Sequence, residues 1–124
     1  MENISITGKK EMPTVNFNTN GILEISGHSY PENATRIYEP LLQFVRELNA
    51  EKVQLTINLE YFNTSTTKYL QFMFKELDKN NNVEEAEVVW CYDTDDDEVL
   101  EQGEMFEDYV DKCQFTFSEN TIAA

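Results

Sequence analysis

The sequence predicts a single α/β domain: a mixed, partly parallel sheet with an N-terminal β-hairpin and about three covering helices. Three observations predict it. Asn18-Thr19-Asn20-Gly21 lies between two β-type runs, and Asn-Gly in that setting marks a hairpin. After the hairpin, helical and strand periodicities alternate as α, β, α, β, α, an order that makes parallel crossovers. The 124 residues suit one core, so residues 1–124 are expected to be one domain.

The elements follow in order. Ile4–Ile6 is a short strand. Thr14–Phe17 and Gly21–Ser26 are the hairpin, with Ile22, Leu23 and Ile25 as the apolar side chains of its second strand. Tyr30-Pro31-Glu32-Asn33 turns the chain into a helix over Ala34–Asn49, whose apolar residues Ile37, Tyr38, Leu41, Leu42, Val45 and Leu48 form one wide face. Pro40 lies inside it and lacks a backbone donor, which predicts a kink or a late start. Val53–Leu59 alternates as a strand. A second helix runs from about Ser65 to Lys79, with Leu70, Met73, Phe74 and Leu77 as its stripe, and Asn80-Asn81-Asn82 ends it. Ala86–Tyr92 is the most apolar strand and reads as central and covered on both faces. A third helix spans about Asp96–Val110. Its Gly103 costs about 1 kcal/mol relative to Ala, which close packing against the sheet would explain. Phe115–Phe117 is a short last strand, and the tail after Ser118 is expected to be loose.

Composition narrows the function. The net charge is −15, from 24 acids against 9 bases. That field repels nucleic-acid backbones and anionic lipid and favours basic patches on protein partners. The first ten residues hold no apolar signal region, and no run could span a bilayer, so a cytoplasmic protein is expected. Cys91 and Cys113 are far apart, form no CxxC pair and read as reduced, inert thiols. His28 is the only histidine. A zinc site built on several histidines, or a triad or Cys–His pair away from His28, is therefore excluded. The four glycines form no phosphate-cradling loop and no nucleophile elbow. No catalytic residue, metal ligand or cofactor is expected.

The most informative stretch is Tyr61-Phe62-Asn63-Thr64-Ser65-Thr66-Thr67-Lys68. A strand leaves the core there and reaches a helix start through five small polar residues, Asn63–Thr67. Helix starts carry unpaired N–H groups and a partial positive charge, so an anion or an added phosphate is well tolerated. At about 100° per residue, Thr64, Lys68, Gln71, Phe72 and Lys75 fall opposite the core stripe. Lys68 is one turn after Thr64 and can pair with a phosphate there. Phosphorylation adds about −1.5 to −2 charges, which the helix start offsets by about 0.3–1 kcal/mol. Phe72 is an aromatic on the same open face, suited to a partner contact. The plain alternative is that Asn63 or Thr64 only caps the helix.

A second polar run is Asp93, Asp95, Asp96, Asp97, Glu98, Glu101 and Glu104. It offers oxygen ligands for Mg²⁺ or Ca²⁺, and hence a carboxylate-rich metal-dependent enzyme. It lacks EF-hand spacing. The alternatives are a solvated helix start or docking to a basic partner surface. A constitutive interaction module without any switch is a third class.

The chain also resembles a known family, the SiaC-like bacterial regulatory phosphoproteins. The resemblance rests on Pro13–Phe17, Gly21–Gly27, Ser29-Tyr30-Pro31-Glu32-Asn33-Ala34, Tyr38-Glu39-Pro40, Tyr61-Phe62-Asn63-Thr64-Ser65, Val89–Asp93 and Glu101–Glu104. Together these span nearly the whole chain in order. It implies a fold similar to anti-sigma-factor antagonist (STAS-like) domains, whose switch hydroxyl also sits at a strand-to-helix junction. It implies a non-enzymatic, partner-switching adaptor. A Ser/Thr kinase phosphorylates the threonine of Asn-Thr-Ser, here Thr64, and a PP2C-type phosphatase reverses it. The unphosphorylated form binds an effector, a diguanylate cyclase in the best-known system. Ser65 and Thr66 depart from the pattern as alternative acceptors. Asn63 and Ser65 shape the cap, Lys68 neighbours the phosphate, and Tyr30, Pro31, Glu32, Asn33 and Phe72 form the expected docking surface.

Overall fold

A computed structural model describes residues 1–120 of the chain. Six strands and three helices follow one another as β1 Ile4–Ile6, β2 Thr14–Phe17, β3 Ile22–Ser29, α1 Ala34–Glu47, β4 Ala50–Phe62, α2 Thr64–Lys79, β5 Val83–Asp93, α3 Asp97–Glu107 and β6 Gln114–Asn120. The strands form one sheet in chain order. β1, β2 and β3 pair antiparallel, and β3, β4, β5 and β6 pair parallel.

The sequential order decides where the helices go. Each parallel pair is joined through a helix, and such crossovers share one hand. Three of them stepping in the same direction put α1, α2 and α3 on the same face. One face of the sheet is therefore core, carrying Leu23, Ile25, Val53, Leu55, Ile57, Val88 and Trp90. The other face stays open, with Glu24, Gln54 and Glu85 exposed. This corrects the expectation for β5. It lies next to the sheet edge with the helices on one side only, while on the other face Glu87 and Val89 are half-buried and Cys91 is buried. Its apolar run arises because Trp90 is the centre of an aromatic cluster with Phe62, Phe74 and Phe106.

The hairpin turn closes through the Gly21 N–H to Asn18 O and the Asn18 N–H to Ile22 O, both 3.0 Å. Gly21 has φ +101, and a Cβ there would collide with the carbonyl of Lys52 on β4. Gly103 lies directly on Trp90, where a Cβ would collide with the indole. The close packing expected for this glycine is present.

α1 starts at Ala34 and continues through Pro40, so no late start occurs. Pro40 and Arg36 are both exposed, and water can satisfy the Arg36 carbonyl that Pro40 leaves without a donor. The other end of α1 is closed by buried Asn80, whose amide donates to Val45 O and Leu48 O, both at 2.8 Å. The third helix ends at Glu107 rather than Val110, and β6 runs to Asn120, so Glu119 and Asn120 belong to the sheet. The rest of the expected loose tail, residues 121–124, lies outside the described residues. No described helix is long and apolar enough to cross a membrane.

Candidate functional site at the β3 and β4 strand ends

β3 and β4 are parallel neighbours, so their C-terminal ends and the starts of α1 and α2 share one rim. The register pairs Gly27 with Leu59 but His28 with Tyr61, leaving Glu60 as an extra residue in β4. Such a bulge changes which side chains face the core. Before it, Leu55, Ile57 and Leu59 are buried; after it, Phe62 packs edge-on to Trp90 at 6.1 Å while Tyr61 turns out. The bulge therefore delivers the chain to Asn63 in the phase that starts α2.

Asn63 is the N-cap, not Thr64. Its side-chain carbonyl accepts from the Thr66 N–H at 3.0 Å, its own N–H donates to Ser29 O at 3.1 Å, and its carbonyl accepts from the Thr67 N–H at 3.0 Å. Thr64 is the first helical residue and is exposed, as is Ser65. Among the described residues, the N–H groups of Thr64 and Ser65 have no hydrogen-bond partner. They are the donors an oxyanion on Thr64 would use.

The four hydroxyls from Thr64 to Thr67 are not equivalent. Thr66 is fully buried. Its hydroxyl donates to Ser29 O at 2.8 Å and lies 2.8 Å from Ser29 Oγ, which lies 2.6 Å from the Tyr38 hydroxyl. Each hydroxyl has one proton, and the Ser29 carbonyl can only accept. The proton of Thr66 therefore points to that carbonyl, Ser29 donates to Thr66, and Tyr38 donates to Ser29. Burial pushes the Tyr38 hydroxyl above its usual pKa, although its bonds to Ser29 and Thr66 act the other way. It stays protonated and keeps its donor. This relay joins β3, α1 and α2. Thr67 donates to Asn63 O at 3.2 Å.

Sequence periodicity did not single out this relay, yet its phase is visible in the chain. Thr66 is one turn before Leu70 on the stripe, Tyr38 lies on the α1 stripe, and Ser29 follows Leu23 and Ile25 at even spacing. A hydroxyl at a core-phase position is the sign of a buried polar partner.

Lys68 is exposed and sits 5.8 Å from the centre of the Phe72 ring. Phe72 meets Tyr69 edge-on at 6.0 Å, and Tyr69 stacks on Tyr38 at 5.5 Å. Phe72, 42% exposed, ends this aromatic series at the surface. In the β3–α1 turn, Glu32 and Asn33 are exposed, and Asn33 caps α1 by accepting from the Arg36 N–H at 3.3 Å. Tyr30 is half-buried. Pro31 is buried, which corrects its place in the expected docking surface: it shapes the turn and offers no contact.

The acidic run forms a different structure. Asp96 caps α3, its carboxylate accepting from the Val99 N–H at 3.1 Å, and Asp97 and Glu98 occupy the first turn. Among the described residues, no three His, Cys, Asp or Glu side chains converge on one point. The two thiols are buried. Burial raises the Cys91 thiol, while burial and then the Asp78 carboxylate push Cys113 up to about 12.

The match to known proteins covers this whole arrangement. Residues 6–120 match the SiaC family regulatory phosphoprotein pattern. The chain belongs to the SiaC family. An uncharacterized protein of Pseudomonas aeruginosa strain UCBPP-PA14 is 25% identical over 123 residues, spanning 95% of each chain. A chain in the crystal structure of the diguanylate cyclase SiaD in complex with its activator SiaC, from Pseudomonas aeruginosa, superposes with a TM-score of 0.83 at 24% identity. The superposition covers 94% of this chain and 99% of that one. Apo-SiaC of Pseudomonas aeruginosa gives 0.77 at 25% identity, over 98% and 100%. The mixed six-stranded sheet with three helices is thus the SiaC fold.

Proposed function

We propose that this SiaC-family chain is a non-enzymatic cytoplasmic adaptor switched by reversible phosphorylation of Thr64. A Ser/Thr kinase adds the phosphate and a PP2C-type phosphatase removes it. The unphosphorylated form binds an effector protein, for which a diguanylate cyclase is the model, since SiaC is described as the activator of SiaD. The observation that carries the reading is the sorting of hydroxyls at the start of α2. Thr64 is exposed beside two N–H groups without a partner among the described residues, whereas Thr66 is buried with its proton committed to Ser29. A phosphate on Thr64 meets the helix start and lies one turn from Lys68, so it changes the surface and leaves the core intact. The face it changes carries Phe72, with Glu32 and Asn33 on the neighbouring turn.

Incubation with the cognate kinase, followed by site mapping by mass spectrometry, tests the assignment. Phosphate on Thr64 and none on a Thr64→Ala chain is expected. Phosphate found solely on Ser65, Thr66 or Thr67 sinks it.

A further inference from the structure

We propose that the notch between His28, Tyr30, Glu60 and Tyr61 receives an arginine side chain of the partner protein. The inference rests on the adaptor reading and names the chemistry of the contact.

The β4 bulge builds the notch. By inserting Glu60 it turns Tyr61 away from the core, leaving that ring 57% exposed and immediately before Phe62-Asn63-Thr64. Tyr30 meets Tyr61 edge-on at 5.1 Å, and His28 lies 6.5 Å from Tyr30. The three rings line an open depression of about 440 Å³. At its side, the Glu60 carboxylate is held by one oxygen to His28 Nε2 at 3.1 Å. Its other oxygen has no partner among the described residues. Opposite the bulge, Gly27 takes φ +93, and a Cβ there would meet nothing within 4 Å, so no side chain fills the space beside it.

Aromatic rings with a half-free carboxylate are a site for a cation, since ring faces attract positive charge and the carboxylate accepts its N–H groups. A guanidinium is favoured over an ammonium because it is flat, stacks on a ring and forks onto a carboxylate. The charge of the whole chain, −15, draws a basic partner surface to this rim and repels anionic ligands. An apolar side chain would bury Glu60 without compensation.

NMR titration of the full, unphosphorylated chain with a capped Gly-Arg-Gly peptide tests this, with the isosteric, uncharged citrulline peptide as control. Expected are shifts confined to His28, Tyr30, Glu60 and Tyr61, with citrulline at least about tenfold weaker. Tyr61→Leu keeps bulk but loses the ring face, and Glu60→Gln loses the charge. Each should weaken binding roughly fivefold with the amide spectrum otherwise unchanged, while Asp97→Asn leaves it unaltered. Shifts centred on the acidic start of α3, equal binding of citrulline, or indifference to Tyr61→Leu would overturn the proposal. Neither kinase nor phosphate is used. Failure here with Thr64 still phosphorylated removes the notch alone, and binding here with Thr64 never modified removes the switch alone.

Discussion

α2 and α3 both begin where a parallel strand leaves the sheet, and both begin with an Asx side chain accepting from the N–H three residues on. Asn63 accepts from Thr66 at 3.0 Å, and Asp96 accepts from Val99 at 3.1 Å. They differ in charge and anchorage. The first turn of α3 carries Asp97 and Glu98, whereas the first turn of α2 carries no acid. The partial positive charge of α3 is already met by its own carboxylates, while that of α2 is open. α3 is fastened by packing, with Gly103 on Trp90 and the indole N–H donating to Val99 O at 2.8 Å. α2 is packed as well, through Leu70, Met73, Phe74 and Leu77, but its first turn is held by the Tyr38–Ser29–Thr66 relay. Two helix starts of the same construction thus differ in charge: one is neutralised by its own carboxylates, and the other is left open, which is the difference the proposed switch uses.

The strongest way to break this contrast is at the packed end. Gly103→Val drives a branched side chain into the indole and should destabilise the fold by about 3 kcal/mol in urea unfolding. A loss under about 1 kcal/mol would show that α3 can shift away from Trp90. The relay end should be next. Thr66→Val keeps shape but leaves the Ser29 carbonyl with only the Asn63 N–H and removes the acceptor for the Ser29 hydroxyl. A cost of about 1–3 kcal/mol is expected, with Thr64 still the site of phosphorylation.

The third test compares the loop from α3 into β6, which is pinned to α2 by charge. The Asp78 carboxylate accepts from the N–H groups of Asp111, Lys112 and Cys113. Partial burial raises its pKa, but those bonds outweigh burial and hold it below its ordinary value. A folded value below the unfolded one stabilises above the ordinary carboxylate range and is lost as pH falls through the folded value. Asn keeps the Oδ1 acceptor for Lys112 and Cys113 but loses the charge, so Asp78→Asn should cost about 1 kcal/mol at neutral pH, solvent screening included. Its unfolding free energy should also fall less steeply below about pH 5 than that of the parent chain.

The smallest effect bears most directly on the comparison. Thr64→Asp should raise stability by about 0.3–1 kcal/mol at low salt, and Asp97→Asn should lower it by a similar amount. Equal and negligible changes at both sites in thermal unfolding would remove the charge contrast. Thr64→Ala should stay within about 0.5 kcal/mol of the parent, as expected for an exposed residue outside the cap.

Much of this was legible in the residues. Asn-Gly located the hairpin, and the apolar stripes of α1 and α2 matched the buried faces. The stretch Asn63–Lys68 placed a hydroxyl-rich helix start after a strand, and Thr64, Lys68 and Phe72 are all exposed as helical geometry required. β5 was misread because an apolar run looks the same whether a strand is buried on two faces or one face is packed and the other half-covered. Here Glu85 and Glu87 mark the open face. Pro31 was misplaced because a turn sequence does not reveal which of its residues points inward.

The notch at Tyr61 and the choice among four hydroxyls depend on register. Local sequence determined that a helix starts at Asn63–Thr64 and that its first turn lacks acids, because capping and charge act over a single turn. Only the tertiary structure decided that Glu60 bulges, that Tyr61 turns out and that Thr66 turns in. Those outcomes depend on how β4 pairs with β3 and on which hydroxyl meets Ser29 thirty-seven residues away. Pairing across that separation is set by the common core of sheet and helices, which no local stretch of the chain contains.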